Sequence, residues 1–226
     1  MLITLLSPDI NAMKMARPTD PMNTPPSPPT PRADRITALR RRIILDAAER
    51  VFGRDGLEAT TIRAIAKEAG CTTGAIYPWF DGKEAIYGEL LAESLDRLHG
   101  YLSDALQASP GPQAARGVVR AFFGYYADRP TDFSLGLYLY RGLAPHGLGR
   151  EMDGRLNARL SQCVALLGQG LARTRDWPAP RVALEQMTTF TYLMGLLLLH
   201  HTRRLKSLDQ HAETLLDHYC TSLEQR

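Results

Sequence analysis

Residues 60–84 read Thr60-Thr61-Ile62-Arg63-Ala64-Ile65-Ala66-Lys67-Glu68-Ala69-Gly70-Cys71-Thr72-Thr73-Gly74-Ala75-Ile76-Tyr77-Pro78-Trp79-Phe80-Asp81-Gly82-Lys83-Glu84. Ile62, Ile65, Ala66 and Ala69 recur at helical spacing while Arg63 and Lys67 fall on the other face, which predicts a short helix over 61–69. Thr60 or Thr61 supplies the side-chain oxygen that caps its start, and Gly70 supplies the left-handed residue that ends it. A third helix is expected from Thr72. Two short helices joined by a glycine turn and packed on a longer one describe a helix-turn-helix.

The longer helix lies just upstream. Leu39, Ile43, Ile44, Ala47, Ala48, Val51 and Phe52 share one face, and Asp55-Gly56 ends the pattern, so a helix is expected over about Thr37 to Arg54. Further upstream, residues 18–31 hold seven of the fifteen prolines and one apolar side chain, Met22. Such a segment buries too little surface to offset its ordering entropy, and residues 1–35 are expected to form a disordered tail.

In order, the segments Arg42 to Ala48, Phe52 to Gly70, Gly74 to Tyr77 and Phe80 to Glu84 strongly resemble the amino-terminal domain of the TetR/AcrR family of transcriptional regulators. The resemblance covers about a fifth of the chain. It implies an all-α homodimer with a three-helix DNA-binding domain over 36–83 and a larger helical domain for ligand binding and dimerisation over 84–226. It also implies that each recognition helix enters the major groove of an approximately palindromic double-stranded operator.

The positions matching the family's DNA contacts are Thr61, Thr72, Thr73, Gly74, Tyr77, Trp79 and Lys83. Thr61 is either a plain helix cap or a cap that also binds phosphate. Thr72 and Thr73 offer hydroxyls to base edges or phosphate and methyls to thymine, and Gly74 permits close approach. Tyr77 and Lys83 suit phosphate, with Ile76 and Phe80 pointing inward. The third helix has no Arg, Asn or Gln, so discrimination is expected to lean on shape and methyl contacts. Pro78 has no N–H and is expected to end or kink that helix, which leaves Trp79 divided between DNA contact and packing. Arg40, Arg41 and Arg42 form either a basic arm or a solvated face, with Arg41 taken as the DNA contact.

Downstream, Ile86, Leu90, Leu91, Leu95, Leu98 and Leu102 stripe a long linking helix. Proline and glycine breaks then separate expected helices at about 113–127, 131–142, 149–173, 181–204 and 207–224. Phe122, Tyr126, Tyr138, Arg141, Met187, Phe190 and Met194 are candidates to line a cavity for an unidentified small-molecule effector, with Arg141 a possible anion anchor and core packing the alternative for the aromatics. Leu198, Leu205, Leu208, Leu215 and Tyr219 are candidates for a dimer interface, the alternative being burial within one subunit.

The net charge of +3, from 27 Lys and Arg against 24 Asp and Glu, gives no histone-like excess. The longest apolar run, Phe190 to Leu199, is shorter than a bilayer span, so no transmembrane helix is expected. Nor does the start of the chain resemble a signal peptide, and a cytoplasmic location is expected. Cys71, Cys163 and Cys220 are too scattered for a disulfide framework or zinc site. His200 and His201 diverge by about 100° on a helix, and His211 and His218 lie roughly 10 Å apart. With no recognisable catalytic motif, neither enzymatic activity nor a cofactor or metal is expected. The leading reading is a ligand-responsive repressor. The alternatives are an activator, and a helical small-molecule-binding or protein-interaction module that does not act on DNA.

Overall fold

The computed structural model describes residues 31–137 and 147–225. The chain divides into two compact units, Met1–Ala38 and Leu39–Arg226, and all packing reported below lies within the second. The described residues form helices and turns without a strand. Residues 1–30 of the expected tail fall outside the described residues.

Helix α1 (Pro31–Ala59) starts earlier than the expected Thr37, inside the segment assigned to the tail. Proline costs little at a helix start, where its missing N–H has no partner to lose, and Asp34 in the first turn complements the helix dipole. Gly56 breaks α1 with φ 74°, as the Asp55-Gly56 pair suggested. Thr60 donates its hydroxyl to the Gly56 carbonyl at 2.6 Å, and Thr61 caps α2 (Ile62–Glu68) by accepting from the Ala64 N–H at 3.1 Å. Gly70 adopts φ 66° beyond α2.

The expected third helix is reduced to one 3₁₀ turn, Thr73–Ala75, followed by further turns to Trp79. The Ala75 and Ile76 N–H groups bond to the Thr72 and Thr73 carbonyls, and the Trp79 and Phe80 N–H groups both bond to the Ile76 carbonyl. Pro78 sits where an α-helix would need an N–H aimed at the Gly74 carbonyl, so regular helical bonding cannot pass through this point.

Helix α3 (Lys83–Ala108) is about 39 Å long at 1.5 Å per residue and runs through two apolar clusters. Its first half, Ile86 to Leu95, packs with Leu45, Val51, Ile65, Ile76 and Phe80. Its second half, Leu98, Leu102 and Leu106, packs with α4 (Ala114–Ala127), α6 (Arg150–Thr174), α7 (Ala179–His201) and α9 (Ala212–Gln225). Where α4 and α6 cross, a Cβ on Gly170 would lie 2.6 Å from Val118 Cγ1 and 3.0 Å from the Ala114 carbonyl oxygen, so only glycine allows this approach.

Helix α5 (Pro130–Gly136) contributes to both clusters, Phe133 to the larger and Leu135 to the other. The rest of the expected helix 131–142 lies outside the described residues beyond Leu137. The final pair is also divided differently. Arg203 and Asp209 adopt left-handed conformations at φ 56° and 53°, so the chain turns after His201, forms the short α8 (Arg204–Ser207), and turns again before α9.

Helix α7 is apolar beyond the Phe190 to Leu199 run. It is long enough and apolar enough over 18 residues to cross a membrane by length and composition, yet only 22% of that stretch is buried. The unbroken apolar run understated it, because Thr, Gly and Ala extend the stretch and the helix carries few charges. Thr189, Leu193, Leu196 and Leu197 form its buried face, while Leu184, Met187, Leu198 and Leu199 stand exposed.

Candidate nucleic-acid interface and ligand cavity

Ile76 is fully buried and Phe80 nearly so, and between and around them the chain turns its other side chains outward. Thr72, Thr73, Gly74, Ala75 and Tyr77 are exposed, with Tyr77 at 57%. Two apolar pins therefore hold a short, irregular segment against α1 and α3 so that hydroxyls and methyls face solvent. Thr72 precedes the 3₁₀ turn without making a side-chain capping bond. Thr61 is exposed as well, its oxygen engaged by Ala64 but its O–H still available as a donor.

Four residues that the sequence offered to the interface, Arg41, Arg42, Lys83 and Trp79, make contacts within the protein. Arg41 pairs with Glu89 at 2.5 Å and Glu93 at 3.9 Å on α3, and its guanidinium lies 5.4 Å from the Phe80 ring centre. Arg42 similarly joins Asp46 and Glu93, each at 2.6 Å. These arginines tie α1 to α3 instead of forming a free arm. Lys83 donates from Nζ to the carbonyls of Leu57 and Glu58, both at 2.9 Å, closing the frayed end of α1. Opposite charge on a neighbouring helix, and open carbonyls after Gly56, engage cations that the sequence had offered to DNA. Trp79 is half-buried and packs with the smaller cluster, bordering a groove of about 460 Å³ with Ile43, Ile44 and Pro78.

The exposed cations beside the segment are Arg40, Arg63 and Lys67, and no ion pair joins them to another described residue. Their signal in the sequence was their place off the apolar faces of α1 and α2. Arg50 bonds Glu68 at 2.7 Å and holds its carboxyl below the usual range, while Arg54 bonds mainly to its neighbour Asp55 at 2.9 Å.

In the larger cluster, Phe122, Tyr126, Phe190 and Met194 line an apolar cavity of about 90 Å³, as expected. Phe133 of α5, another of the aromatics the sequence offered for a cavity, lines it too, whereas Leu91 and Leu95 from α3, Gly136 from α5, and Leu156, Asn157 and Leu160 from α6 were missed. Their spacing is that of any core helix, and only packing shows that they converge. Met187 is a correction: it is 50% exposed on the outer face of α7 and does not line this cavity. Tyr138 and Arg141 lie outside the described residues. Burial pushes the Tyr126 hydroxyl far above its ordinary pKa, so it stays neutral in this setting.

A second cavity, of about 490 Å³, opens between α1, α3 and α5, lined by Phe52, Leu57, Tyr87, Ser134 and Leu135 among others. At its wall Tyr87 donates its hydroxyl to the Leu135 carbonyl at 3.0 Å. Thus α5 places Phe133 at the apolar cavity and Leu135 against the helix-turn-helix core, with only one residue between them. Asp132, nearly buried, fastens this helix to α3 and α4 through Arg97 at 2.8 Å and the Tyr125 hydroxyl at 3.2 Å.

The expected dimer residues also separate. Leu198 and Leu208 are exposed at 46% and 62%. Leu205 and Tyr219 are corrections, being buried within the subunit, and Leu215 is half-buried against the larger cluster. Tyr219 stacks on Tyr192 with ring centres 4.0 Å apart and shares a 2.9 Å hydrogen bond with Thr189. The second interface stripe offered by the sequence, Met187, Phe190, Thr191, Met194 and Leu198 beside Gly195, divides on α7: Met187, Thr191, Gly195 and Leu198 are exposed and continue to Leu184, while Phe190 and Met194 turn toward the larger cluster.

No group of three or more metal-ligating side chains forms among the described residues. Cys163 and Cys220 are buried, which pushes their thiols up to about 12 and about 11.

A capped helix, a glycine turn and an outward-facing segment held on a longer helix define a helix-turn-helix protein with a larger helical partner domain. Residues 44–90 match the model for bacterial regulatory proteins of the tetR family. The HTH-type transcriptional regulator BetI of Vibrio parahaemolyticus is 33% identical over 147 residues, 56% of this chain and 73% of that protein. The chain belongs to the tetR family. The HTH-type transcriptional repressor KstR2 of Rhodococcus jostii is 46% identical over 61 residues, 27% of this chain, and the match spans only 30% of that relative's length. The structure of FadR from Bacillus subtilis in complex with stearoyl-CoA shares the fold at TM-score 0.61 and 18% identity, covering 81% of this chain and 95% of that one.

Proposed function

We propose that this chain is a transcriptional repressor that binds an inverted-repeat operator as a homodimer and releases it when an apolar small molecule enters the larger domain. The observation that carries the reading is the segment 72–77, displayed on buried Ile76 and Phe80 with its hydroxyls facing outward. Thr61, Thr72, Thr73, Gly74 and Tyr77 form the contact surface, and Arg40, Arg63 and Lys67 supply the nearby positive charge for phosphates. The KstR2 relative's name as a repressor favours repression over activation. The division is 36–83 for DNA and 84–226 for ligand and dimer, and the protein acts in the cytoplasm, where its operator lies.

The dimer forms through the outer face of α7, joined by Leu208. An apolar stripe with Gly195 at its centre lets a second copy of the helix approach closely. The effector site is the cavity bounded by Phe122, Tyr126, Phe133, Phe190 and Met194. At about 90 Å³ it is smaller than the roughly 150 Å³ apolar void that admits a benzene ring, so a larger effector must displace its walls. Phe133 is one such wall, and α5 carries its movement to Leu135 and the Tyr87 bond. The ligand acts by favouring one of two arrangements, which requires different affinities for the two. FadR with stearoyl-CoA supports an effector that is largely apolar.

The test is selection of duplexes from a random library by the full-length protein at moderate salt. An inverted repeat with fixed half-site spacing is expected. Transcription from a promoter carrying that repeat should fall when protein is added and recover with an apolar effector. Absence of enrichment would remove the DNA-binding reading, and increased transcription would replace repression by activation.

A further inference from the structure

We infer that this chain reads its half-site through thymine methyl groups and not through bidentate hydrogen bonds to purines. The inference rests on the proposal that residues 72–77 enter the major groove. Between Gly70 and Phe80 the chain contains no Arg, Lys, Asn, Gln, Asp or Glu. Bidentate recognition of guanine needs a guanidinium or ammonium, and that of adenine a carboxamide, so neither can come from this segment. Its exposed residues Thr72, Thr73, Ala75, Tyr77 and Pro78 carry three methyls, three hydroxyls and a pyrrolidine ring. A hydroxyl both donates and accepts and so discriminates bases weakly. A methyl packs favourably on the one base that presents a methyl in the major groove, which is thymine.

Gly74 adds an independent observation. Its φ lies outside the left-handed region, and a Cβ built there would meet only Thr72 Oγ1, at 3.9 Å. Neither backbone conformation nor packing in the free protein calls for glycine at this position. A bare backbone between Thr73 and Ala75 does leave a flat surface on which a base edge and its methyl can lie close. The turn at Pro78 reinforces this geometry. It keeps the displayed segment short, so a few small side chains approach the groove floor where a long helix would bring larger ones.

The experiment uses the full-length protein and the duplex recovered by selection. Each thymine is replaced in turn by deoxyuridine, which pairs identically but lacks the C5-methyl, and affinity is measured by fluorescence anisotropy at fixed salt. Deoxyuridine at two or more positions per half-site should weaken binding roughly fourfold for each methyl that becomes buried. Replacing guanine by 7-deazaguanine should change it by less than about twofold, since no guanidinium is bonded to N7. Thr73→Ser, which keeps the hydroxyl and removes the methyl, should lose the preference for thymine over deoxyuridine at one of these positions, while Thr73→Val should keep it at all of them. Gly74→Ala should bind the operator at least about tenfold more weakly with an unchanged melting temperature, since only the approach to DNA is obstructed. Indifference to every deoxyuridine, together with loss on 7-deazaguanine, would overturn the inference and assign readout to Arg40 or Arg63. Failure to enrich any duplex would overturn the underlying DNA-binding reading instead.

Discussion

Lys83 shows how one residue can suit two roles that a sequence position does not separate. Its ammonium bridges the Leu57 and Glu58 carbonyls, which the break at Gly56 leaves beyond the end of regular α1. Lys83→Met keeps the aliphatic stem and removes both bonds. It should lower stability by about 1–2 kcal/mol, a fall in Tm of roughly 2–8 °C by thermal denaturation. A preserved Tm with a salt slope of operator binding reduced by about one would return Lys83 to the phosphate role. The cysteines divide on the same scale. Burial raises the Cys163 and Cys220 thiols well above neutral pH, whereas Cys71 is half-buried in the turn after α2. Mass spectrometry after brief alkylation of native protein at pH 7.5 should find Cys71 modified first, with the other two labelled only on unfolding.

Among the elements, α5 is short and its contacts are varied. Seven residues give a cavity wall at Phe133, a core residue at Leu135 and a buried carboxylate at Asp132. Arg97 compensates that carboxylate from α3 while remaining about half exposed itself. Arg97→Ala should therefore cost about 2–3 kcal/mol, below the usual loss for a fully buried pair, because water partly screens the guanidinium side. Adding Asp132→Asn should restore part of that loss, since the orphaned charge is then gone. Urea unfolding of the two variants checks the sign. A double variant less stable than Arg97→Ala would mean that the Tyr125 bond to the carboxylate contributes more than the ion pair.

For the whole molecule, the decisive feature is that α7 has two apolar faces and one subunit covers only one of them. Leu184→Arg combined with Leu198→Arg leaves the buried face, Thr189, Leu193, Leu196 and Leu197, untouched. Sedimentation velocity should show a folded monomer at micromolar concentration. Operator affinity should fall on the order of a hundredfold or more, because two half-sites are no longer bound by one linked particle. A variant that stays dimeric would place the interface on another surface.

The pattern of the chain determined the helical class, the capped α2, the glycine turn and the inward Ile76 and Phe80, because those features depend on local spacing and backbone preference. It also located the interruption at Pro78, since a missing N–H acts within one turn of its own position. Part of the apolar cavity was legible as well, because Phe122, Tyr126, Phe133, Phe190 and Met194 are large side chains in helical segments. The rest of its lining came from α3, α5 and α6, and no local rule distinguishes a core leucine that borders a void from one that does not. Tertiary structure alone turned Arg41, Arg42 and Lys83 inward, through carboxylates and carbonyls distant in sequence. It also decided between the two apolar faces of α7 and buried Leu205 and Tyr219 within the subunit. Helical periodicity identifies which residues leave water, but the neighbouring helices determine which partner they meet.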